Sequence, residues 1–418
     1  MATTARWTAD ELTAFQAGLT PQSLSAIMRS TWTWDDRALR RDLSRLLTGL
    51  TAVRELDTGG DLHRLVRGRT LQAAAVFLAE VLGPRAIADA GQLTSFSQAL
   101  VRSPGLAGGP EDGVLVRALG AETVETTTGS TTFDLASSPE FASRLAAHAL
   151  SASRDHVTGA QYHAKIEAGA LSATLAAAEA SGSWDPALVR TRASLHESRW
   201  LLDGEKLFVP HANNADMLFV IARSTAGPSL FAVERAAPGV TVFPMAVIDA
   251  TRPLARVKLH QVPATLIGVE GAGGRLMGRV LDLATVSLAE EQVTGARRCL
   301  ELIVAATAAL PDTRTTDLVG ELRLRLEVAQ VMWEHARRVA TTETDDAGVA
   351  AAMAHICCSE AFTQIARATV QSVDGEPAGA DTTRASEAER LFRRAQSSQL
   401  LFGGPAVYDE RLLERMGI

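Results

Sequence analysis

Cysteine is scarce in this chain of 418 residues, which holds three: Cys299 and the adjacent Cys357 and Cys358. All three lie in apolar, helical-looking sequence, which excludes a disulfide scaffold and gives no ligand spacing for zinc. They read as small core residues of a protein in a reducing compartment. Positive charge is also short. Lys and Arg number 41 against 48 Asp and Glu, a net charge of −7, so no basic stripe is offered to a nucleic acid backbone and no nucleic-acid partner is expected. Long apolar runs are missing too. The greasiest stretch, residues 71–82, is short and carries Glu80, well under the ~20 residues of a membrane span. Residues 1–7 lack the apolar core of a signal peptide, and the expectation is a cytoplasmic protein with no membrane partner.

What the chain does have is alanine-rich helical sequence on either side of a β island. With 46% hydrophobic residues it can bury large cores and divide into two or three lobes. Periodicity predicts a first turn at Asp10-Glu11-Leu12, an amphipathic helix over 37–50 begun by Asp35-Asp36, and an apolar helix over 69–82 stopped near Gly83-Pro84. A loop is expected over 103–110, a loop or short strand over 124–133, and a helix over 138–153. The pattern changes near Gly169. Short runs at 217–222, 230–233, 240–247 and 255–259, parted by Gly, Pro and Asp, read as strands. Helical periodicity returns over 280–306, 318–340, 346–370 and 384–401, enough for a four-helix bundle. The resulting boundaries are 1–168, 169–274 and 275–418.

The centre of the island is Leu201-Leu202-Asp203-Gly204-Glu205-Lys206-Leu207-Phe208-Val209-Pro210. Asp203-Gly204 between two apolar runs predicts a hairpin turn there, and residues 217–222 predict a buried strand beyond the polar tip at 211–216. Together with Ala215-Asp216 and the run ending at Arg223, this stretch resembles the acyl-CoA dehydrogenase family hairpin. Upstream, Ala178-Glu179-Ala180-Ser181-Gly182-Ser183-Trp184-Asp185 stands where the family has T-E-P-G-A-G-S-D. Downstream, Phe231-Ala232-Val233-Glu234, Pro238-Gly239-Val240 and Ile248-Asp249-Ala250-Thr251-Arg252 with Val257-Lys258-Leu259 are similar to its later strands. Gly295-Ala296 through Leu300-Glu301, Arg393-Arg394-Ala395 and Leu401-Phe402-Gly403-Gly404 extend the likeness into the bundle. It covers about 165–418 by motif, and the N-terminal lobe by helical character alone.

The resemblance implies an α+β, acyl-CoA dehydrogenase-like fold: an N-terminal α-helical domain, a central β-barrel or sheet domain and a C-terminal four-helix bundle. It also implies FAD, an acyl thioester substrate and an oligomer, homomeric or heteromeric. The expected cofactor-binding positions are Ala178, Glu179, Gly182, Ser183, Phe208, Val209 and Pro210. Several depart from the family pattern. A family threonine that contacts the flavin ring is Ala178, Gly182-Ser183 is displaced by one residue, and Phe208 keeps the shielding aromatic while Pro210 replaces a hydroxyl donor and brings no N–H. In the bundle, Arg314 alone could stand for the turn that reaches a neighbouring FAD. Gln371-Ser372-Val373-Asp374-Gly375-Glu376 is acidic where a phosphate prefers donors.

The family's catalytic glutamate is missing at both of its positions. Gly403 stands in one, and Ala284 or Thr285 in the other. Glu290 and Glu291, almost two turns further along, could serve only in a shifted helix register, and His211 is a second candidate near the expected flavin; the plain readings, a solvated face or an interface charge pair for the glutamates and an exposed loop residue for the histidine, are preferred. No catalytic residue is therefore assigned. Three functions stay open: an FAD-linked acyl-CoA or acyl-carrier dehydrogenase performing α,β-desaturation, a degenerate subunit of a heteromer whose partner supplies the base and part of the FAD site, and a flavin monooxygenase, which needs no α-proton base.

Overall fold

A computed structural model describes residues 15–56, 60–83, 111–121, 139–307, 313–341, 345–374 and 382–418. The first turn expected at Asp10, the loop at 103–110, the segment at 124–133 and most of the acidic stretch after Val373 lie outside these residues. The chain divides into two compact units, residues 131–291 with 389–404, and residues 1–130 with 292–388 and 405–418.

The first unit is built on seven strands: β1 (Ala173–Ala176), β2 (Arg192–His196), β3 (Arg199–Pro210), β4 (Met217–Ser224), β5 (Gly227–Glu234), β6 (Val240–Pro244) and β7 (Leu254–Ile267). Pairing runs from β4 to β2, β3, β7, β5 and back to β4, a ring of strands that closes on itself, with β1 added to β4 and β6 to β7. Closure removes the free edges that an open sheet would expose. Leu202, Val209, Leu218, Val220, Phe231, Val233, Val257 and Val262 fill the interior. The buried strand expected at 217–222 is β4, nearly all of which is inside.

The hairpin is displaced from its expected position. Asp203 and Gly204 lie within β3, and the turn falls at Glu197 and Ser198, between the paired His196 and Arg199. Both turn residues have positive φ, 45° and 66°, the geometry of a two-residue type I′ connection that matches strand twist. Gly204 has a different task. At φ 149° it sits at a register shift of β3 against β7, and a Cβ there would come within 2.8 Å of the Thr191 backbone. A second register shift between Lys206 and Val209 turns Phe208 out of the ladder at φ 57°. Such bulges re-aim single side chains.

The helices Glu140–Ser153 and Thr158–Glu167 also belong to the barrel unit. The other unit is helical. Arg37–Glu55, whose N-cap Asp36 accepts from the amides of Ala38 and Leu39, packs on Asp61–Leu82, which ends at Gly83. Thr313–Val339 packs on Asp345–Asp374, and Pro405–Arg415, a helix with no sequence signal of its own, lies against both Asp345–Asp374 and Arg37–Glu55. Gly273–Thr307 and Thr382–Leu400 have residues in each unit. Cys299 and Cys358 are fully buried here. Asp346–Val373 is long and apolar enough to cross a membrane, but 72% of its most apolar window is buried inside the protein, as in a core helix. Ion pairs tie the unit together, among them Arg69 to both oxygens of Glu321 at 2.7 Å and Arg298 to Glu387 at 2.7 Å.

Substituting Gly204→Ala should lower stability by about 1–3 kcal/mol, the scale of a strained backbone position, with no loss of helical signal. Chemical denaturation measures it, and a change within ~0.5 kcal/mol would show that Thr191 can move aside.

Candidate functional site

Lys206 stands on β3 just before the second register shift and is fully buried. Its Nζ donates to Glu179 Oε1 at 2.8 Å and to the Ala177 carbonyl at 3.0 Å. Glu179 also accepts from the amides of Arg190 and Thr191 and from the Thr191 hydroxyl. Burial pulls the Lys206 ammonium down to about 8, against the opposing pull of Glu179. Burial tends to raise Glu179, but Lys206 and the Thr191 donors outweigh it and leave its carboxyl below the usual range. The Leu207 amide donates to the Ala178 carbonyl at 3.0 Å. Residues 177–179 are thereby clamped to β3.

That clamp forms one wall of a cavity of about 440 Å³ lying entirely within the barrel unit. Ala178, Gly182, Phe208 and Pro210, all expected at a flavin from the sequence, line it together with Trp184, Phe402 and Gly403. Gly182 closes a turn at φ 68°, its amide donating to the Glu179 carbonyl, and a Cβ on it would lie 3.7 Å from the Phe208 ring. Phe402 meets Trp184 edge-on at 5.2 Å and stacks with Phe141 at 6.0 Å. Val209 turns away into the barrel core. Glu179 faces Lys206, and the Ser183 hydroxyl accepts from the Asp185 amide at 3.0 Å. The Pro210 carbonyl accepts from Thr174 at 2.7 Å.

Three non-glycine residues at or next to this cavity have positive φ: Phe208 at 57°, His211 at 51° and Phe402 at 65°. Each conformation costs on the order of 1–3 kcal/mol, and such strain concentrates at sites that bind or react. His211 is not the exposed loop residue the sequence suggested; it is 5% exposed. Burial first, then the nearby Arg252 and Arg394, hold its imidazole below its usual range and so neutral.

The polar end of the cavity is a group of charges that the motif Asp249-Ala250-Thr251-Arg252 did not announce. Arg252 Nη2 donates to both oxygens of Glu291 at 2.5 and 2.6 Å. Arg394 lies 3.4 Å from Asp249 and 3.5 Å from Glu291. Asp249, the carboxylate on the cavity wall, accepts from the Thr251 amide and hydroxyl and, at 2.8 Å, from Ser397. Glu290 and Glu291 part company. Glu290 pairs with Arg144 at 2.7 Å in half-exposed surroundings, whereas Glu291 is mostly covered and is held by Arg252 and Arg394. Ala284 and Thr285 are buried within their helix.

Two family profiles match the chain from its first barrel strand onward. The acyl-CoA dehydrogenase middle domain matches residues 174–260 and the acyl-CoA dehydrogenase C-terminal domain residues 271–417. The chain belongs to the acyl-CoA dehydrogenase family. Among curated relatives, L-prolyl-[peptidyl-carrier protein] dehydrogenase of Serratia sp. is 24% identical over 51% of this chain and 60% of its own length. The chain spans about three fifths of the length of the curated relatives it matches. Solved structures with the family fold include PigA with FAD and proline, at TM-score 0.59 and 18% identity over 94% of this chain and 97% of that one. The ChsE4-ChsE5 complex from Mycobacterium tuberculosis is similar at TM-score 0.59 and 17% identity over 98% of each chain.

The Lys206 value gives a pH test. Its folded pKa of about 8 lies below the unfolded value near 10.4, so between those limits the unfolded chain binds more protons and stability rises with pH. Denaturation midpoints of wild type minus Lys206→Met should climb from pH 8 to about 10; a flat difference would mean that the ammonium is not desolvated.

Proposed function

We propose that this chain is an FAD-linked acyl-thioester dehydrogenase subunit that binds the flavin ring and acyl group in the Gly182–Phe208–Phe402 cavity and takes its catalytic carboxylate from a homologous partner chain. The cavity suits a planar ring: its walls are aromatic and apolar, and Arg252, whose buried Nε and Nη1 have no hydrogen-bond partner, lines one end. Ala178 and Pro210 bring no hydroxyl, so the residues fit the ring better than they fit a phosphate. Bound there, the flavin supplies the acceptor for a hydride from the β-carbon.

Desaturation also removes the α-proton, and that step carries the argument for a partner. A general base must reach its proton within about 3 Å. Gly403 offers no side chain where the family resemblance places glutamate. Asp249, the one carboxylate on the cavity wall among the described residues, already accepts from three donors and lies 3.4 Å from Arg394, so its oxygens are engaged inside the protein and not turned toward a ligand's proton. Loss of the α-proton to a base would leave the electrons of the Cα–H bond to form the Cα–Cβ double bond, with the β-hydrogen departing as the hydride that a bound flavin would accept. This chain's part is to hold the acyl group between Phe208 and Phe402 and to exclude water.

The visible spectrum tests the reading. Purified alone, the chain should show no anaerobic bleaching of flavin absorbance with an acyl-CoA; co-purified with a homologous subunit, it should bleach. Full bleaching by the chain alone would remove the need for a partner, and a protein that takes up no flavin in either state would overturn the flavin assignment.

A further inference from the structure

The two buried charge assemblies of the barrel unit differ in one respect. Lys206 has its partners, whereas Arg252 lacks some of its own. Arg252 is 3% exposed and lines the cavity, and one nitrogen, Nη2, holds Glu291. Its Nε and Nη1 are buried with no hydrogen-bond partner. The Phe141 ring lies 4.6 Å from the guanidinium carbon, which gives that face an aromatic contact but no acceptor. Buried donors left unpaired are costly, and buried guanidinium groups in proteins are normally satisfied.

Charge narrows what could satisfy them. Arg252 and Arg394 carry two positive charges, and Asp249 and Glu291 two negative ones, all within one connected group. His211 beside them is neutral and adds nothing to the sum. A carboxylate or phosphate entering the apolar cavity would leave one negative charge without compensation, which a low-dielectric wall penalises. A carbonyl oxygen would accept from Arg252 and leave the sum at zero. We propose that Arg252 reads one neutral carbonyl oxygen of the molecule held in this cavity, and so fixes that molecule's orientation against Phe208 and Phe402. The inference rests on the cavity being the ligand site put forward above, and deepens it. Two carbonyl sources have the required chemistry, the pyrimidine end of a flavin ring and the thioester of an acyl-CoA.

Titrations of flavin-free protein separate them. Wild type, Arg252→Met and Arg252→Lys are each titrated with FAD, followed by fluorescence quenching, and with an α,β-unsaturated acyl-CoA, followed by calorimetry; thermal melts establish that each variant is folded. A loss of roughly 10-fold or more in FAD affinity for the methionine variant, with a shifted absorption maximum of the bound flavin, assigns the flavin carbonyl. A similar loss for the thioester, with FAD affinity unchanged, assigns the thioester carbonyl. Arg252→Lys should recover only part of either loss, because the ammonium lacks the planar donor set. Affinities within twofold of wild type for both ligands would overturn the proposal. So would an acyl-CoA bearing a terminal carboxylate that binds 10-fold tighter than its uncharged counterpart only when Arg252 is present. If wild type binds thioester and no flavin, the flavin reading fails while the thioester titration still decides the role of Arg252. Should Arg252→Met fail to fold, the lysine variant and the terminal-carboxylate comparison on wild type carry the decision.

Discussion

A fully buried ammonium has to be neutralised, and much of the site follows from how this protein does it. Lys206 lies inside the barrel unit, and Glu179 reaches it only because residues 177–179 run beside β3. The same approach lets the Leu207 amide donate to the Ala178 carbonyl, brings Glu179 over the amides of Arg190 and Thr191, and sets the turn at Gly182 against Phe208. Remove the charge pair and three chain segments lose their common anchor. Replacement of a buried pair by apolar side chains is often tolerated in stability, so the pair's value here lies in placing the cavity wall.

The opposite end of the cavity uses buried charge differently. Around Lys206 the ammonium donates to Glu179 and to the Ala177 carbonyl, and Glu179 also accepts from two amides and a hydroxyl, so the charges are held by the protein itself. Around Arg252 the charges balance while donors remain open. One assembly is held by neighbouring protein groups and the other keeps buried donors without acceptors. Between them lie aromatic walls on strained backbone, a combination that favours a flat molecule with one polar end. Asp249, the carboxylate on the cavity wall, has its oxygens taken up by Thr251 and Ser397.

Much of the fold was legible because its signals are repetitive. The helices over 37–50, 138–153 and the bundle, and the buried strand β4, follow from spacing that persists for several turns or pairs. The hairpin was misplaced because two signals competed. Asp203-Gly204 has turn chemistry, yet its glycine answers a close approach by Thr191, while Glu197 and Ser198 adopt positive φ with no glycine or asparagine to announce it. Helix Pro405–Arg415 hid behind a glycine- and proline-bearing stretch. At the site, motif order brought out Ala178, Gly182, Phe208 and Pro210, which share one cavity. The network of Asp249, Arg252, Glu291 and Arg394 joins residues up to 145 positions apart, and no local pattern encodes that meeting. His211 does lie in a turn, but it is 5% exposed, and nothing in its local sequence signals that burial.

Gly403 has adopted φ 115°, a backbone setting that glycine occupies with ease and a side chain does not. A change to glutamate at this one position would therefore meet a loop whose shape no longer suits it, and Pro405 two residues on restricts how that loop can readjust. A glutamate here would have to hold a conformation that its Cβ disfavours or remake the turn around it, so the missing side chain and the path of this loop are one structural fact.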